Sequence, residues 1–162
     1  SKEVVLYDTL LEKMSEDEVI AVLAHELGHA LHQDIWRMLI RQIGMMLLYL
    51  AGIGLFLSSP ILFEAFGIPP GHFGFALVMF SAFLEPIISL LVNIPFNKAS
   101  RTAEFKADRL AAEKTDPQWL ISSLKVLARE NLANLNPHPF FVLLTYTHPP
   151  MNSRIKALEG KG

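Results

Sequence analysis

Long runs of apolar residues alternate along this chain with amphipathic stretches, a pattern that predicts a mainly α-helical fold. Residues 38–58 are almost entirely apolar, and residues 73–96 form a second apolar run that is interrupted by Glu85, Pro86 and Asn93. Each run approaches the roughly 20 residues that a helix needs to cross a bilayer. Two buried helices of a soluble domain are the alternative, but 162 residues leave too little other chain to cover them. We therefore expect a two-span transmembrane hairpin.

Positively charged residues lie at the outer ends of the two apolar runs and not between the runs. The loop predicted at 59–72 contains no Lys or Arg. Cations lie on either side of the hairpin instead: Arg37, Arg41, Lys98, Arg101, Lys106 and Arg109. Because Lys and Arg concentrate in cytoplasmic loops, both ends of the hairpin are expected to face the cytoplasm. The membrane would be the endoplasmic reticulum in a eukaryote or the inner membrane in a bacterium.

Local signals before the hairpin predict a short extended segment followed by a helix. Residues 1–14 include an apolar run at 4–7 and are predicted to be strand-like. Ser15 can cap a helix, and Glu18 three residues later completes the pattern of a capping box. We therefore predict a helix over 15–36.

A His-Glu-x-x-His motif lies inside this predicted helix. His25 and His29 are four residues apart, so their side chains share one helix face and can bind one ion together. Glu26 projects beside them, where a carboxylate can serve as the general base for water activated by the ion. This is the arrangement of zinc proteases. Gly28 is expected to let another element approach the metal closely; the alternative for the motif is a surface helix with two solvated His.

The region at 97–162 is predicted to be helical and to supply a third ligand. Glu104 and Asp108 are four residues apart, and a carboxylate ligand backed by a second carboxylate suits an open zinc site. Two spans separate His29 from Glu104, so both return to the same side of the membrane. The alternative is a solvated helix whose carboxylates pair with neighbouring cations: Arg101, Lys106 and Arg109.

Two further histidines flank the predicted site. His148 precedes two prolines that fix the following backbone, and Arg154 lies shortly beyond, so either side chain can reach a developing oxyanion. His32 follows His29 by three residues. It is not needed as a ligand, because two His and one carboxylate already complete a catalytic zinc site. Asp34 is expected to be a helix-end polar residue or to support a ligand.

Composition narrows the choices further. Hydrophobic residues make up 51% of the chain and charged residues 19%, which is more apolar than an ordinary soluble domain. The formal net charge of −2 gives no indication of a nucleic-acid partner. The absence of Cys excludes disulfides and Cys-ligated metals. The chain begins with Ser1 and no signal peptide precedes the motifs, so we expect a fragment of a longer protein.

Five motifs together resemble the M48 family of membrane zinc metallopeptidases, and within it the Ste24-type CaaX prenyl proteases. They follow the family's order and spacing over nearly the whole chain, at residues 4–11, 25–29, 62–67, 100–108 and 147–150. The resemblance implies a mainly α-helical, membrane-embedded, gluzincin-like zinc metalloprotease that joins an HExxH helix to an ExxxD helix. It also implies a ring of seven transmembrane helices around a chamber, with the earlier five helices missing here.

The resemblance implies that Zn²⁺, one ion per chain, is bound by three side chains: His25, His29 and Glu104. Glu26 would be the catalytic base, and Asp108 would hold a zinc-binding His by a hydrogen bond. His148 and Arg154 would contact the substrate or the oxyanion. The family removes the last three residues of proteins prenylated on a CaaX cysteine, so the implied partners are a prenylated CaaX substrate, membrane lipid and the upstream helices.

Two other functions are open on the sequence alone. One is an HtpX-like zinc protease that cuts misfolded membrane proteins with the same site, and substrate profiling separates it from the CaaX protease. The other is a non-enzymatic membrane scaffold whose His and Glu only stabilise helices. Metal analysis separates the scaffold, because it predicts no stoichiometric zinc.

Overall fold

All regular structure in the described part of this computed structural model is helical. The structure describes residues 12–32 and 34–160, without the side chain of Asp34. Eight α-helices and one π-helical turn follow in chain order within these ranges: α1 Glu16–Leu31, α2 Asp34–Leu57, α3 Pro60–Ala65, α4 Phe73–Met79, the π-turn Phe80–Leu84, α5 Glu85–Lys114, α6 Pro117–Glu130, α7 Pro139–Thr145 and α8 Met151–Leu158. The predicted mainly α-helical fold is confirmed. The strand predicted for 1–14 falls almost entirely on residues outside these ranges.

The chain divides into two compact units. One, called the polar unit here, runs to Ile35 and resumes at Ile94, and it contains α1, most of α5 and the three helices that follow. The other, the apolar unit, is Trp36–Asn93. Helix α5 contributes residues to both units, and Pro95 lies inside it without ending it.

In the polar unit, α1 begins at a reciprocal cap and packs against α6. The Ser15 amide donates to the Glu18 carboxylate at 2.8 Å, and the Glu18 amide donates to the Ser15 hydroxyl at 3.3 Å. The predicted capping box is therefore present. Helix α6 also packs against α8. Four apolar side chains form the buried core among these elements: Ala21, Ala111, Leu120 and Leu124.

Helix α5 crosses α1 at small residues. The buried face of α5 repeats at helical spacing: Glu104, Ala107, Asp108 and Ala111. A Cβ added to Gly28 of α1 would lie 2.9 Å from the Ala107 Cα and 3.1 Å from its Cβ. Because a backbone atom is the obstacle, only glycine allows this approach, as the sequence predicted for Gly28. The close crossing brings the histidines of α1 against the carboxylates of α5.

The apolar unit buries few of its side chains. Phe80 packs edge-on against Tyr49 and Phe56, and Gly52 lies so close to the Phe80 ring that a Cβ there would approach Cε2 to 2.5 Å. Most of the other large apolar side chains of α2 are exposed, including Leu55 at 70%. Such a surface suits lipid, because a helix that is apolar all round is stable only where water is absent.

Two helical stretches are long and apolar enough to cross a membrane, by length and composition: Ile35–Leu57 and Phe73–Lys114. The apolar part of the second stretch ends near Phe96. Residues 98–114 contain eight Lys, Arg, Asp or Glu and lie beyond it. The predicted loop at 59–72 contains the short helix α3, which begins with Pro60 at a position where proline fits a helix.

Candidate metal centre

Three nitrogen and oxygen donors converge between α1 and α5. The Nε2 atoms of His25 and His29 lie 3.2 Å apart. The Glu104 carboxylate places Oε2 at 3.7 Å from the His25 Nε2 and Oε1 at 3.4 Å from the His29 Nε2. Donors that share a tetrahedral Zn²⁺ at ordinary bond lengths lie about 3.3 Å apart. Two imidazoles and a carboxylate at this spacing, all within 4.8 Å, therefore fit a zinc ion.

Asp108 fixes the orientation of His25 from behind. The His25 Nδ1 donates to the Asp108 Oδ1 at 2.9 Å, and both side chains are buried. A hydrogen bond to Nδ1 settles the tautomer, so the Nε2 lone pair points towards Glu104 and His29. The contact predicted between the second carboxylate of α5 and a histidine of the site is thus made by Asp108 and His25.

Arg154 of α8 lies beneath both carboxylates and is itself buried. Its Nε donates to the Asp108 Oδ2 at 2.8 Å and its Nη2 to the Oδ1 at 2.6 Å, which is a two-pronged contact. Its Nη1 lies 3.2 Å from the Glu104 Oε2. The guanidinium charge therefore balances two carboxylates in a site where an unpaired charge would be unfavourable.

The cluster keeps its charged groups ionised. Burial raises the pKa of Asp108, but hydrogen bonds from His25 and Arg154 outweigh burial and leave that pKa below its ordinary value. Burial likewise raises the pKa of Glu104, and the hydrogen bond with His29 and the charge of Arg154 bring it below its ordinary value. Burial lowers the pKa of Arg154, but the hydrogen bond and charge of Asp108 outweigh burial and leave that pKa above its ordinary value. Both carboxylates are therefore available in their charged form, as metal ligands or as hydrogen-bond acceptors.

A cavity of about 340 Å³ opens in front of the three converging donors. Glu26 is exposed on its wall beside the histidines of α1, where its carboxylate can meet a ligand. The lining also includes apolar side chains of α1 and α6: Val22, Leu120, Leu124 and Leu127. The cavity thus combines one free carboxylate with an apolar surface.

His148 reaches the same cavity from the segment between α7 and α8. Its Nε2 lies 3.3 Å from the Glu104 Oε1, and its Nδ1 lies 3.0 Å from the Thr147 hydroxyl. The side chain is 70% exposed, so its imidazole can donate to a molecule in the cavity. The structure therefore brings together the seven residues to which the sequence assigned a role in the site: His25, Glu26, His29, Glu104, Asp108, His148 and Arg154.

His32 lies apart from this cluster. Two other residues, Asn97 and Arg101, have contacts near the cluster, and the sequence did not identify them as part of the site. The His32 Nδ1 lies 2.7 Å from the Gly28 carbonyl at the end of α1. Asn97 and Arg101, two turns and one turn before Glu104, bind backbone carbonyls of the segment that leads to His148. Their spacing from Glu104 on one helix face was the available signal.

Comparison with known proteins places the chain in a known group. A model described as peptidase family M48 matches residues 1–161. A rice protein (Oryza sativa subsp. japonica) named CAAX prenyl protease 1 homolog is 37% identical over 161 residues, which cover 98% of this chain and 37% of the rice protein. A protein of Ectopseudomonas mendocina named protease HtpX is 31% identical over 169 residues, which cover 94% of this chain and 57% of that protein.

A solved structure has the same fold. The crystal structure of S. mikatae Ste24p superposes with a TM-score of 0.82 at 28% sequence identity. The match covers 96% of this chain and 39% of that protein. The chain therefore spans less than two fifths of the length of both the rice relative and this structure. Its apolar helices and this similarity together indicate a membrane protein.

Proposed function

This chain belongs to peptidase family M48, and we propose that it carries the active site of a zinc-dependent integral-membrane endopeptidase that removes the C-terminal tripeptide from prenylated CaaX proteins. The observation that supports the chemistry best is the convergence of donors from His25, His29 and Glu104 within 4.8 Å. The substrate class is supported by the name of the rice relative, which is a longer protein than this chain.

His25, His29 and Glu104 would hold one zinc ion per chain. When bound there, zinc supplies a Lewis acid and lowers the pKa of water towards neutrality. Asp108 keeps the His25 Nε2 free for the ion by accepting a hydrogen bond from Nδ1–H. The ionised state of Glu104 suits a ligand, because a protonated carboxyl would bind the ion poorly.

Glu26 is the proposed general base. It takes a proton from the attacking water and passes it to the leaving amine, so one carboxylate serves both halves of the reaction. Its exposure on the cavity wall supports this role, since neither of the two buried carboxylates is free to move protons. His148 is the proposed donor to the oxyanion that develops on the scissile carbonyl, because its exposed imidazole faces the same cavity.

Arg154 was a candidate for contact with the substrate or the oxyanion. Its burial and its two-pronged contact with Asp108 favour a different role. We assign it to holding Asp108 and Glu104 in place, so that it acts on the substrate only through these carboxylates.

The proposed setting is a membrane with the site on its cytoplasmic side, in the endoplasmic reticulum of a eukaryote or the inner membrane of a bacterium. Two helices of sufficient length and the cations that flank them support this orientation. A prenylated CaaX protein or peptide, membrane lipid and further transmembrane helices upstream are the proposed partners. The greater length of the similar proteins supports the proposal of further helices.

A membrane quality-control protease is the second candidate. The similarity to protease HtpX extends over 94% of this chain and reaches 57% of the length of that protein. Such an enzyme would use the same zinc site and the same base. The two candidates therefore differ in substrate and not in chemistry.

The test is a comparison of two peptides. The full-length protein in detergent is incubated with a farnesylated CaaX peptide and with its unprenylated twin, and mass spectrometry locates the cuts. We expect one cut directly after the prenylated Cys, absent for the twin and for Glu26→Gln. Equal cutting of both peptides at other positions would favour the quality-control protease, and no cutting of either would contradict both candidates.

A further inference from the structure

Polar side chains of α5 bind the segment that leads to the exposed histidine of the site. The buried Asn97 donates from Nδ2 to the Leu144 carbonyl at 2.9 Å. Arg101 donates from Nη1 to the carbonyls of Val142 at 3.0 Å and Tyr146 at 2.5 Å. Two side chains of α5 therefore bind the carbonyls of every second residue from 142 to 146.

These carbonyls need partners because α7 ends there. The last four carbonyls of an α-helix have no acceptor role inside the helix, and α7 ends at Thr145. The Tyr146 amide still bonds to the Val142 carbonyl, while Leu144 and Tyr146 bond to α5 instead. A cation at a helix C-terminus also interacts favourably with the helix dipole. The contacts thus satisfy groups that would otherwise require water.

The same segment is anchored a second time beyond His148. Pro149 and Pro150 restrict the backbone, and α8 then begins and delivers Arg154 to Asp108 of α5. His148 lies between the two anchors. Because its side chain is 70% exposed, its 3.3 Å approach to the site depends on the backbone that carries it.

The four contact residues of α5 lie on one face of that helix. Asn97, Arg101, Glu104 and Asp108 follow one another at intervals of four, three and four residues. Asn97 and Arg101, which bind the segment before His148, therefore share a helix face with Glu104, a proposed zinc ligand, and with Asp108, which orients His25. One rigid helix sets the position of His148 relative to Glu104.

We propose that Arg101 and Asn97 are positioning residues that hold His148 over the active site. The inference rests on the proposed function, in which His148 donates to the oxyanion. Neither residue touches the cavity wall, so both act through the backbone of residues 142–146. Small displacements of a group that contacts the reacting atoms lower the rate strongly.

The first experiment tests, without reference to activity, whether Arg101 holds the segment at residues 142–146. Hydrogen exchange is measured by mass spectrometry on the full-length protein and on Arg101→Ala, with Arg109→Ala as the matched control on the exposed side of α5. Loss of two hydrogen bonds is expected to raise exchange at residues 139–148 about tenfold, with α6 unchanged and the control like wild type. Unchanged exchange at 139–148 would overturn the proposal.

The second experiment tests the link to His148. With a peptide that the wild type cuts, Arg101→Ala is expected to lower kcat about tenfold to a hundredfold, with zinc content unchanged and KM little changed. Arg101→Lys keeps the charge but not the fork of donors, and should restore part of the rate. In a His148→Ala background, Arg101→Ala should cause no further loss.

The outcomes separate the two proposals. An equal loss from Arg101→Ala with and without His148 would overturn the positioning role, as would a loss of zinc. Failure of the wild type to cut any peptide would contradict the proposed function. The exchange measurement would then still show by itself whether Arg101 holds the segment at residues 142–146.

Discussion

The polar and apolar units of this chain differ in how far their large apolar side chains are buried. In the polar unit, Leu120 and Leu124 are almost fully buried in a shared core. In the apolar unit, Leu55 is 70% exposed and Ile61 is 78% exposed. The polar unit thus has a shared buried core, although Leu132 and Phe140 remain exposed, whereas most large apolar side chains of the apolar unit lie outside, as lipid requires.

Buried polar groups divide in the same way. Within the described ranges, every buried polar or charged side chain belongs to the polar unit: His25, Asn97, Glu104, Ser123, Asp108 and Arg154. Burial of charge is unfavourable unless each group is paired, and here each charged group has a partner. The difference between the units therefore separates the converging donors, which lie in the polar unit, from the largely exposed apolar surface, which lies in the apolar unit.

The largest expected effect is on activity and concerns Glu26 alone. Glu26→Gln should lower the cleavage rate by about 10²- to 10⁴-fold, because it removes a general base, and should leave zinc bound. Peptide cleavage and zinc content are measured on the same preparation. Glu16→Gln, an exposed residue of the same helix, is the control and should behave as wild type. Cleavage by Glu26→Gln at the wild-type rate would remove Glu26 from the mechanism.

The next largest effect concerns the buried cation of the polar unit. Arg154→Leu leaves the buried carboxylates of Asp108 and Glu104 without their cation, and should lower the free energy of unfolding by about 3–5 kcal/mol. Denaturant unfolding in detergent measures it. Arg109→Leu, on the exposed side of α5, should change this free energy by no more than about 0.5 kcal/mol. Equal values for both variants would contradict the role given to Arg154.

A smaller effect compares one glycine from each unit. Gly28→Ala places a methyl group 2.9 Å from the Ala107 backbone, so α1 and α5 must separate, at about 1–3 kcal/mol of stability. Zinc should bind more weakly as a result. Gly44→Ala in the apolar unit meets nothing within 4 Å and should be neutral, or more stable by up to about 1 kcal/mol. Zinc titration and thermal unfolding distinguish the two, and identical zinc affinities would count against the close crossing.

The smallest effect is a pH dependence at the start of α1. The hydrogen bond from Ser122 lowers the pKa of Glu18 below its ordinary value of 4.5, and the Ser15 amide lowers it further. A pKa lowered in the folded state stabilises the fold above 4.5, and this stability is lost as pH falls through the lowered value. Ser122→Ala should therefore melt lower than wild type at neutral pH, and the difference should vanish in acid. A difference that grows in acid would refute this assignment.

The parts of the site that depend on local spacing were predictable from the sequence. The capping box fixed the start of α1, and the period of the helix placed His25 beside His29 and Glu104 beside Asp108. The mainly helical fold and the membership of the M48 family, inferred from ordered motifs, are confirmed. The cap and the pairs on each helix follow from residues within a few turns of one another, and the family follows from the order of motifs along nearly the whole chain.

Contacts between distant segments were not predictable in the same way. Arg101 was named as a cation that flanks the hairpin and as a possible partner of the α5 carboxylates, whereas it binds the carbonyls of Val142 and Tyr146 more than 40 positions away. The burial of Arg154 depends on how α8 packs, which no local pattern encodes. Pro95 lies inside α5, which continues through it, because neighbouring groups can compensate for one missing amide in a long apolar helix.

The zinc content of four purified full-length proteins tests the central claim most directly. Wild type and Glu26→Gln should each contain one zinc per chain, whereas His29→Ala and Glu104→Ala should contain far less after the same dialysis. This result would place the ion on the three donors that converge between α1 and α5. Stoichiometric zinc in all four proteins, or in none, would contradict the account.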